Sequence, residues 1–82
     1  MRPSIDAALA RARTRRRLPA PVARRMLRER AGLSQLDIGQ ALGVKREAVA
    51  QWEAGRRTPR GQLCEAYVQL LDRLASEPLR SA

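Results

Sequence analysis

Residues 28–59 have the sequence RERAGLSQLDIGQALGVKREAVAQWEAGRRTP, and the glycines in this stretch decide the fold. Gly32, Gly43 and Gly55 each follow a short segment whose apolar residues recur every three to four positions. A glycine directly after such a segment is the usual left-handed cap of a helix. The stretch therefore predicts three consecutive helices that end at these glycines.

The starts of the helices are marked by capping residues and by proline. Ser34 followed by Asp37 is a capping box, which predicts a helix to about Leu42. The next helix is predicted over residues 46–54. Upstream, the prolines of residues 18–21 precede a helix over residues 22–31, whose predicted core face consists of Ala23, Met26, Leu27 and Ala31.

The two inner helices are joined through Gly43 and Val44, a spacing typical of a helix-turn-helix. Helices of eight or nine residues are unstable alone, so both need the support of flanking helices. Thr58 and Pro59 predict the cap and first turn of a final helix that runs to about residue 75. The predicted shared core consists of Leu33, Ile38, Leu42, Val44, Val49 and Trp52.

Composition supports an all-α fold of four to five helices. The chain has 82 residues, of which fourteen are Ala and only Trp52 and Tyr67 are aromatic. Ala, Leu, Arg, Gln and Glu favour helices, and the scarcity of aromatic and β-branched residues argues against a sandwich or barrel. We expect an arginine-rich arm over residues 1–17, a helix-turn-helix domain with a long final helix over residues 18–77 and a tail over residues 78–82.

Several functional classes are excluded by missing residue types. A single cysteine, Cys64, allows no internal disulfide, and the absence of histidine removes zinc sites and the commonest acid–base catalyst. We therefore expect no enzyme, no metal, no cofactor and no small-molecule effector. The sequence contains no run of 18 apolar residues that could span a membrane, so we expect a cytoplasmic location.

The positive charge is concentrated at two places. The net charge is +9, with ten arginines in residues 1–30 and three more in residues 56–60. A small domain with such an excess usually binds a polyanion, most often nucleic acid.

Three blocks resemble the Cro/C1-type (XRE) helix-turn-helix family over residues 22–75: Gly-Leu-Ser-Gln at 32–35, Leu-Gly-Val at 42–44 and Trp-Glu-Ala-Gly at 52–55. The resemblance implies a lambda-repressor-like fold, double-stranded DNA as partner and a transcriptional regulator that lays helix 46–54 in the major groove. The flanking segments are similar to actinobacterial and actinobacteriophage proteins, which implies a phage Cro or repressor-like protein at the bacterial nucleoid.

The resemblance implies that Arg46, Glu47 and Gln51 contact bases, and a helical projection adds Ala50. Lys45 stands where the family has a capping Ser or Thr, so two cations lie on a helix N-terminus that disfavours them. Arginine binds guanine through two hydrogen bonds, and Gln51 suits adenine. Glu47 leaves two interpretations open, a contact with cytosine or an offset of the helix dipole.

The remaining predicted DNA contacts are with phosphates. They are Gln35, Lys45, Arg56, Arg57, Arg60, Arg28 and the arm residues Arg15, Arg16 and Arg17. The resemblance also implies a structural pair of Arg28 and Glu53. For the arm, a short helix capped by Ser4 and a flexible segment are both open, and we expect residues 10–17 to lack regular structure without DNA.

The final helix predicts a possible homodimer, at least on DNA. Its apolar stripe covers an arc of about 160°, whereas docking on one core needs about 100°. A second copy, or Ile5 and Leu9 of the same chain, would cover the surplus. The stripe consists of Leu63, Cys64, Tyr67, Val68, Leu70, Leu71, Leu74 and Ala75.

Three other functions fit the size of the chain. They are an antitoxin-like protein-interaction module, a recombination-directionality factor and a nonspecific DNA-packing protein. The cations at residues 45–46 and the two basic segments argue against the first.

Overall fold

The computed structural model describes residues 4–77, which form five helices. These are α1 (Ile5–Arg17), α2 (Pro21–Arg30), α3 (Gln35–Leu42), α4 (Arg46–Glu53) and α5 (Gly61–Ser76). This part of the chain contains no strand, and the predicted all-α fold is confirmed. The predicted tail at 78–82 and the first three residues of the arm lie outside the described residues.

Local sequence signals set the limits of α3 and α4. Gly32, Gly43 and Gly55 have φ angles of 74°, 73° and 73°, the left-handed values expected of helix caps. The amide of Asp37 donates to Ser34 Oγ at 3.0 Å, and the amide of Ser34 donates to Asp37 Oδ2 at 2.7 Å. The predicted capping box is therefore confirmed, and it fixes the start of α3.

The core lies between α5 and the helix-turn-helix. Its buried residues are Ile38, Val49, Trp52, Tyr67 and Leu71, and Leu33, Leu42 and Val44 pack against them. The rings of Trp52 and Tyr67 are 4.8 Å apart between centroids, so α4 packs directly on α5. Burial raises the pKa of Tyr67 to about 12, as expected of a phenol enclosed in the core.

The predicted core face of α2 is wrong at Met26, whose side chain is 62% exposed. The inward positions belong instead to Arg24, Leu27 and Arg28, of which Arg24 is buried. Both arginines use their donors inside the protein, so the inward face includes charged residues that hydropathy does not reveal, while Leu27 packs against the core and Ala23 and Ala31 are half-buried, as predicted.

The expectation that residues 10–17 lack regular structure is also wrong. Ser4 caps α1 by accepting from the amide of Ala7 at 3.0 Å, and the helix continues to Arg17. Arg17 Nη2 lies 2.6 Å from Asp72 Oδ2, and α1 packs along α5. Because α5 supports it, the segment is helical without DNA.

The start of α5 differs from the prediction. The helix begins at Gly61 rather than at Pro59, and its N-cap is Arg60. Pro59 is buried instead, so the chain packs against the core at this residue before the helix begins. The predicted cap at Thr58 is therefore wrong.

The apolar stripe of α5 is used within one chain. Cys64, Tyr67, Val68 and Leu71 are buried. The half-buried positions that pack against the core are Leu63, Leu70 and Leu74. Of the predicted stripe only Ala75 is exposed, so little of it is left for a second copy in the described residues, and the possible homodimer stays a prediction. Ile5 and Leu9 are not what covers the stripe, since their side chains are 72% and 43% exposed.

Candidate nucleic-acid interface

Helix α4 presents one face to the core and the opposite face to the outside. Val49 and Trp52 are buried, whereas Arg46 and Glu47 are exposed. Ala50 and Gln51 are half-buried and complete the outer face. The four predicted base-contacting residues therefore lie together on one accessible side of a short, well-supported helix.

The outer face of α4 is a ridge between two grooves. On one flank, Arg46 and Ala50 line a groove with Gln35 and Leu36 at the start of α3. On the other flank, Glu47 and Gln51 line a groove with residues 56–60. Arg46 and Gln51 are about 140° apart around the helix axis, so they face different parts of any groove that the ridge enters.

Two cations lie at the start of α4. Lys45 is the N-cap residue with extended φ and ψ of −74° and 153°, and no side chain within residues 4–77 caps the helix. Arg46 Nη2 is 3.4 Å from Glu47 Oε1, in an exposed pair whose free energy of interaction is small. The positive end of the helix dipole therefore lies beside two positive side chains, those of Lys45 and Arg46.

The turn between α3 and α4 is unusually tight at Gly39. A Cβ atom at this position would lie 2.7 Å from the carbonyl oxygen of Val44. The amide of Val44 donates to the carbonyl of Gly39 at 2.8 Å. The close approach is therefore between α3 and the backbone of the turn, and this contact fixes where α4 begins.

Arg28 and Glu53 form the predicted structural pair. Arg28 Nε donates to Glu53 Oε2 at 2.7 Å, and Arg28 Nη2 donates to Glu53 Oε1 at 2.9 Å. Gln35 Nε2 donates to the same carboxylate at 3.1 Å. These bonds link α2, α3 and α4 beside the outer face of α4.

The carboxyl of Glu53 titrates below its ordinary range. Burial alone would raise its pKa, but hydrogen bonds from Arg28 and Gln35 outweigh burial and lower it. Arg28 and Gln35 both donate hydrogen bonds to Glu53. Each can therefore make its predicted phosphate contact only through N–H groups that are not already used within the protein.

Arg24 is a functional part of this scaffold that sequence reasoning missed. Its Nη1 donates to the carbonyl of Trp52 at 2.9 Å, and its Nε donates to the carbonyl of Pro19 at 2.8 Å. The side chain therefore ties the end of α4 to the segment before α2. Its position one turn before Arg28 on α2 is the only sequence signal that marks it as an inward residue.

The predicted phosphate contacts fall into two groups in the structure. Arg56, Arg57 and Arg60 are exposed on the loop that borders Gln51, and residues 4–77 offer none of them an ion pair. In α1, Arg15 lies beside this loop, whereas Arg17 is paired with Asp72. Arg16 is exposed and borders neither of these features.

Within residues 4–77, no three His, Cys, Asp or Glu side chains come together as a candidate metal site. Burial raises the pKa of the Cys64 thiol, so the thiol stays protonated. None of the helices in this range has the length and apolar character needed to cross a bilayer.

Comparison with known families gives one result. Residues 25–76, which include α3, α4, α5 and the second half of α2, match the family model described as helix-turn-helix. No curated protein and no protein of known structure matches the chain.

Proposed function

The chain belongs to the Cro/C1-type (XRE) helix-turn-helix family of DNA-binding regulators, and we propose that it is a sequence-specific transcriptional regulator. In this proposal α4 enters the major groove of double-stranded DNA and regulates transcription by occupying its site. The finer hypothesis is a phage Cro or repressor-like protein that acts in the bacterial cytoplasm at the nucleoid.

One observation carries the proposal: the outer face of α4 is accessible, polar and bordered by cations. A B-DNA major groove is about 12 Å wide, which admits one α-helix. The ridge formed by Arg46, Glu47, Ala50 and Gln51 stands between two grooves, so its side chains reach past their surroundings.

The base contacts are assigned by side-chain chemistry. We infer that Arg46 binds guanine O6 and N7, while Gln51 binds adenine. The methyl group of Ala50 suits a thymine methyl group. Glu47 accepts from cytosine N4, since its carboxylate lies on the outermost part of the ridge.

The phosphate contacts are assigned to cations beside the ridge. Lys45 and the loop residues Arg56, Arg57 and Arg60 border it directly. The further candidates are Gln35, Arg28, Arg15, Arg16 and Arg17. Such contacts fix the position of the protein on the duplex and carry no sequence information.

The test is selection of bound sequences from a pool of random duplexes, followed by competition with bulk genomic DNA. We expect a defined consensus that bulk DNA does not fully displace. Complete displacement would instead favour nonspecific packing. Failure to bind any duplex at low salt would favour a protein-interaction module, and either result would overturn the proposal.

A further inference from the structure

Helix α1 and the loop before α5 enclose a second groove outside the helix-turn-helix. It is lined by Arg11 and Arg15 of α1 and by residues 58–61. Its far end continues along the start of α5 to Glu65. This groove is formed by an element that lies outside residues 25–76, so the family relationship does not account for it.

The groove is strongly cationic. Arg11 and Arg15 are four residues apart, so they lie on the same side of α1, and both are exposed. Arg60 faces them from the loop. Within residues 4–77 no ion pair engages these three guanidinium groups, and Glu65 is the one acidic residue that lines the groove.

The groove is continuous with the surface beside α4. Thr58, Pro59 and Arg60 form one wall of the α1 groove and also line the groove that contains Gln51. The two grooves are therefore adjacent, on either side of residues 58–60. Helix α1 has 13 residues and a length of about 20 Å, which is more than half of one DNA turn.

We propose that the α1 groove binds the sugar–phosphate backbone of the DNA that flanks the site read by α4. Arg11, Arg15 and Arg60 contact consecutive phosphates of one strand. Helix α1 thus acts as a preformed backbone clamp rather than a flexible arm in the minor groove. The inference rests on the proposed function, because it requires a duplex seated on α4.

The experiment compares the double variant R11Q/R15Q with the matched double variant R13Q/R73Q. Both lose two positive charges, but Arg13 lies about 200° around α1 from Arg11, and Arg73 lies near the far end of α5. Affinity is measured across a range of salt concentrations, on the selected duplex and on one extended by about six base pairs on each side.

For R11Q/R15Q we expect the slope of log K against log salt to become shallower by about 1.8, since each phosphate contact contributes about 0.9. The extended duplex should then lose its affinity advantage, while the preferred sequence stays unchanged. The control R13Q/R73Q should keep the wild-type slope and the advantage of the extended duplex.

Two results would overturn the inference while leaving the proposed function intact. The first is an equal loss in both double variants, which would mean that only net charge matters. The second is an unchanged slope in R11Q/R15Q, which would leave the groove to an acidic protein partner or to no partner. By contrast, wild-type protein that binds no duplex would overturn the proposed function itself.

Discussion

Arg24 shows how a residue counted as surface charge can be part of the scaffold. It is only 8% exposed, and it donates to the carbonyl groups of Pro19 and Trp52. Removing the charged donor of a buried carbonyl group lowers the free energy of unfolding by about 1.5–3 kcal/mol. Composition and charge could not reveal this, because they do not distinguish an inward arginine from an outward one; only the spacing of four residues to Arg28 points to the inward position.

We predict that Arg24→Met lowers the free energy of unfolding by about 2–3 kcal/mol, since it removes the charged donor to the carbonyl groups of Trp52 and Pro19. The neighbouring Arg25→Met is the control, because Arg25 is exposed and its pair with Glu29 is a surface contact. Urea unfolding of both variants measures the difference. Equal stability of the two variants would show that the Arg24 bonds contribute nothing.

Glu53 gives a second prediction at the residue scale, concerning pH. Its pKa is lowered in the folded protein, so its ionised form stabilises the fold above the unfolded pKa of about 4.3. This stabilisation is lost as the pH falls through the lower folded pKa. The excess stability of wild type over Glu53→Gln should therefore be constant near neutrality and shrink in acid.

Chemical unfolding of both proteins from pH 7 to pH 2 measures this difference. The pKa of Asp37 is also lowered, through its bonds with Ser34, but Asp37 is present in both proteins and cancels. A stability difference that does not change with pH would contradict the role given to the Arg28–Glu53 pair.

At the scale of the element, α3 and α4 were predictable because their limits depend on local chemistry. The capping box at Ser34 and the left-handed glycines act through residues close in sequence. Three of the base-contacting candidates, Arg46, Glu47 and Gln51, came from the family resemblance, and Ala50 came from the helical projection of α4. The side-chain roles on DNA stay predictions.

The errors concern elements whose structure depends on distant contacts. Helix α1 continues through its arginines because it packs against α5. The periodicity of the sequence does not reveal that contact. Helix α5 begins at Gly61 because Pro59 is drawn into the core. The α1 groove was missed for the same reason, since it exists only after the two helices pack.

The turn between α3 and α4 yields a prediction for Gly39→Ala. Replacing a helical glycine normally stabilises by about 1 kcal/mol. Here the new Cβ would lie 2.7 Å from the Val44 carbonyl oxygen, and such overpacking costs about 1–3 kcal/mol. We expect a net loss of about 1 kcal/mol in the free energy of unfolding, together with weaker DNA binding because α4 shifts.

Thermal and urea unfolding measure the stability of this variant, with the exposed neighbour Gln40→Ala as the control. The control should change stability by less than about 0.5 kcal/mol. If Gly39→Ala is as stable as the control, the turn relaxes freely and the close approach does not position α4.

At the scale of the whole molecule, the packing of α5 predicts the oligomeric state. Its apolar stripe is buried within the chain, and α1 packs along α5 in addition. We therefore expect a monomer in solution and one molecule on each recognised site. Sedimentation of free and DNA-bound protein measures both. A stable dimer would show that a surface other than the α5 stripe joins two copies.

The central claim is that α4 reads base pairs while its basic surroundings hold the backbone. The direct measurement is the binding free energy of wild type, Arg46→Ala and Arg56→Ala on the selected duplex and on its single-base-pair variants, at one salt concentration. The account predicts that Arg46→Ala loses about 1–3 kcal/mol on the selected duplex and no longer discriminates at one or two positions. Arg56→Ala should weaken all duplexes alike. If Arg46→Ala also weakens every duplex by the same factor, Arg46 contacts phosphate and the claim is contradicted.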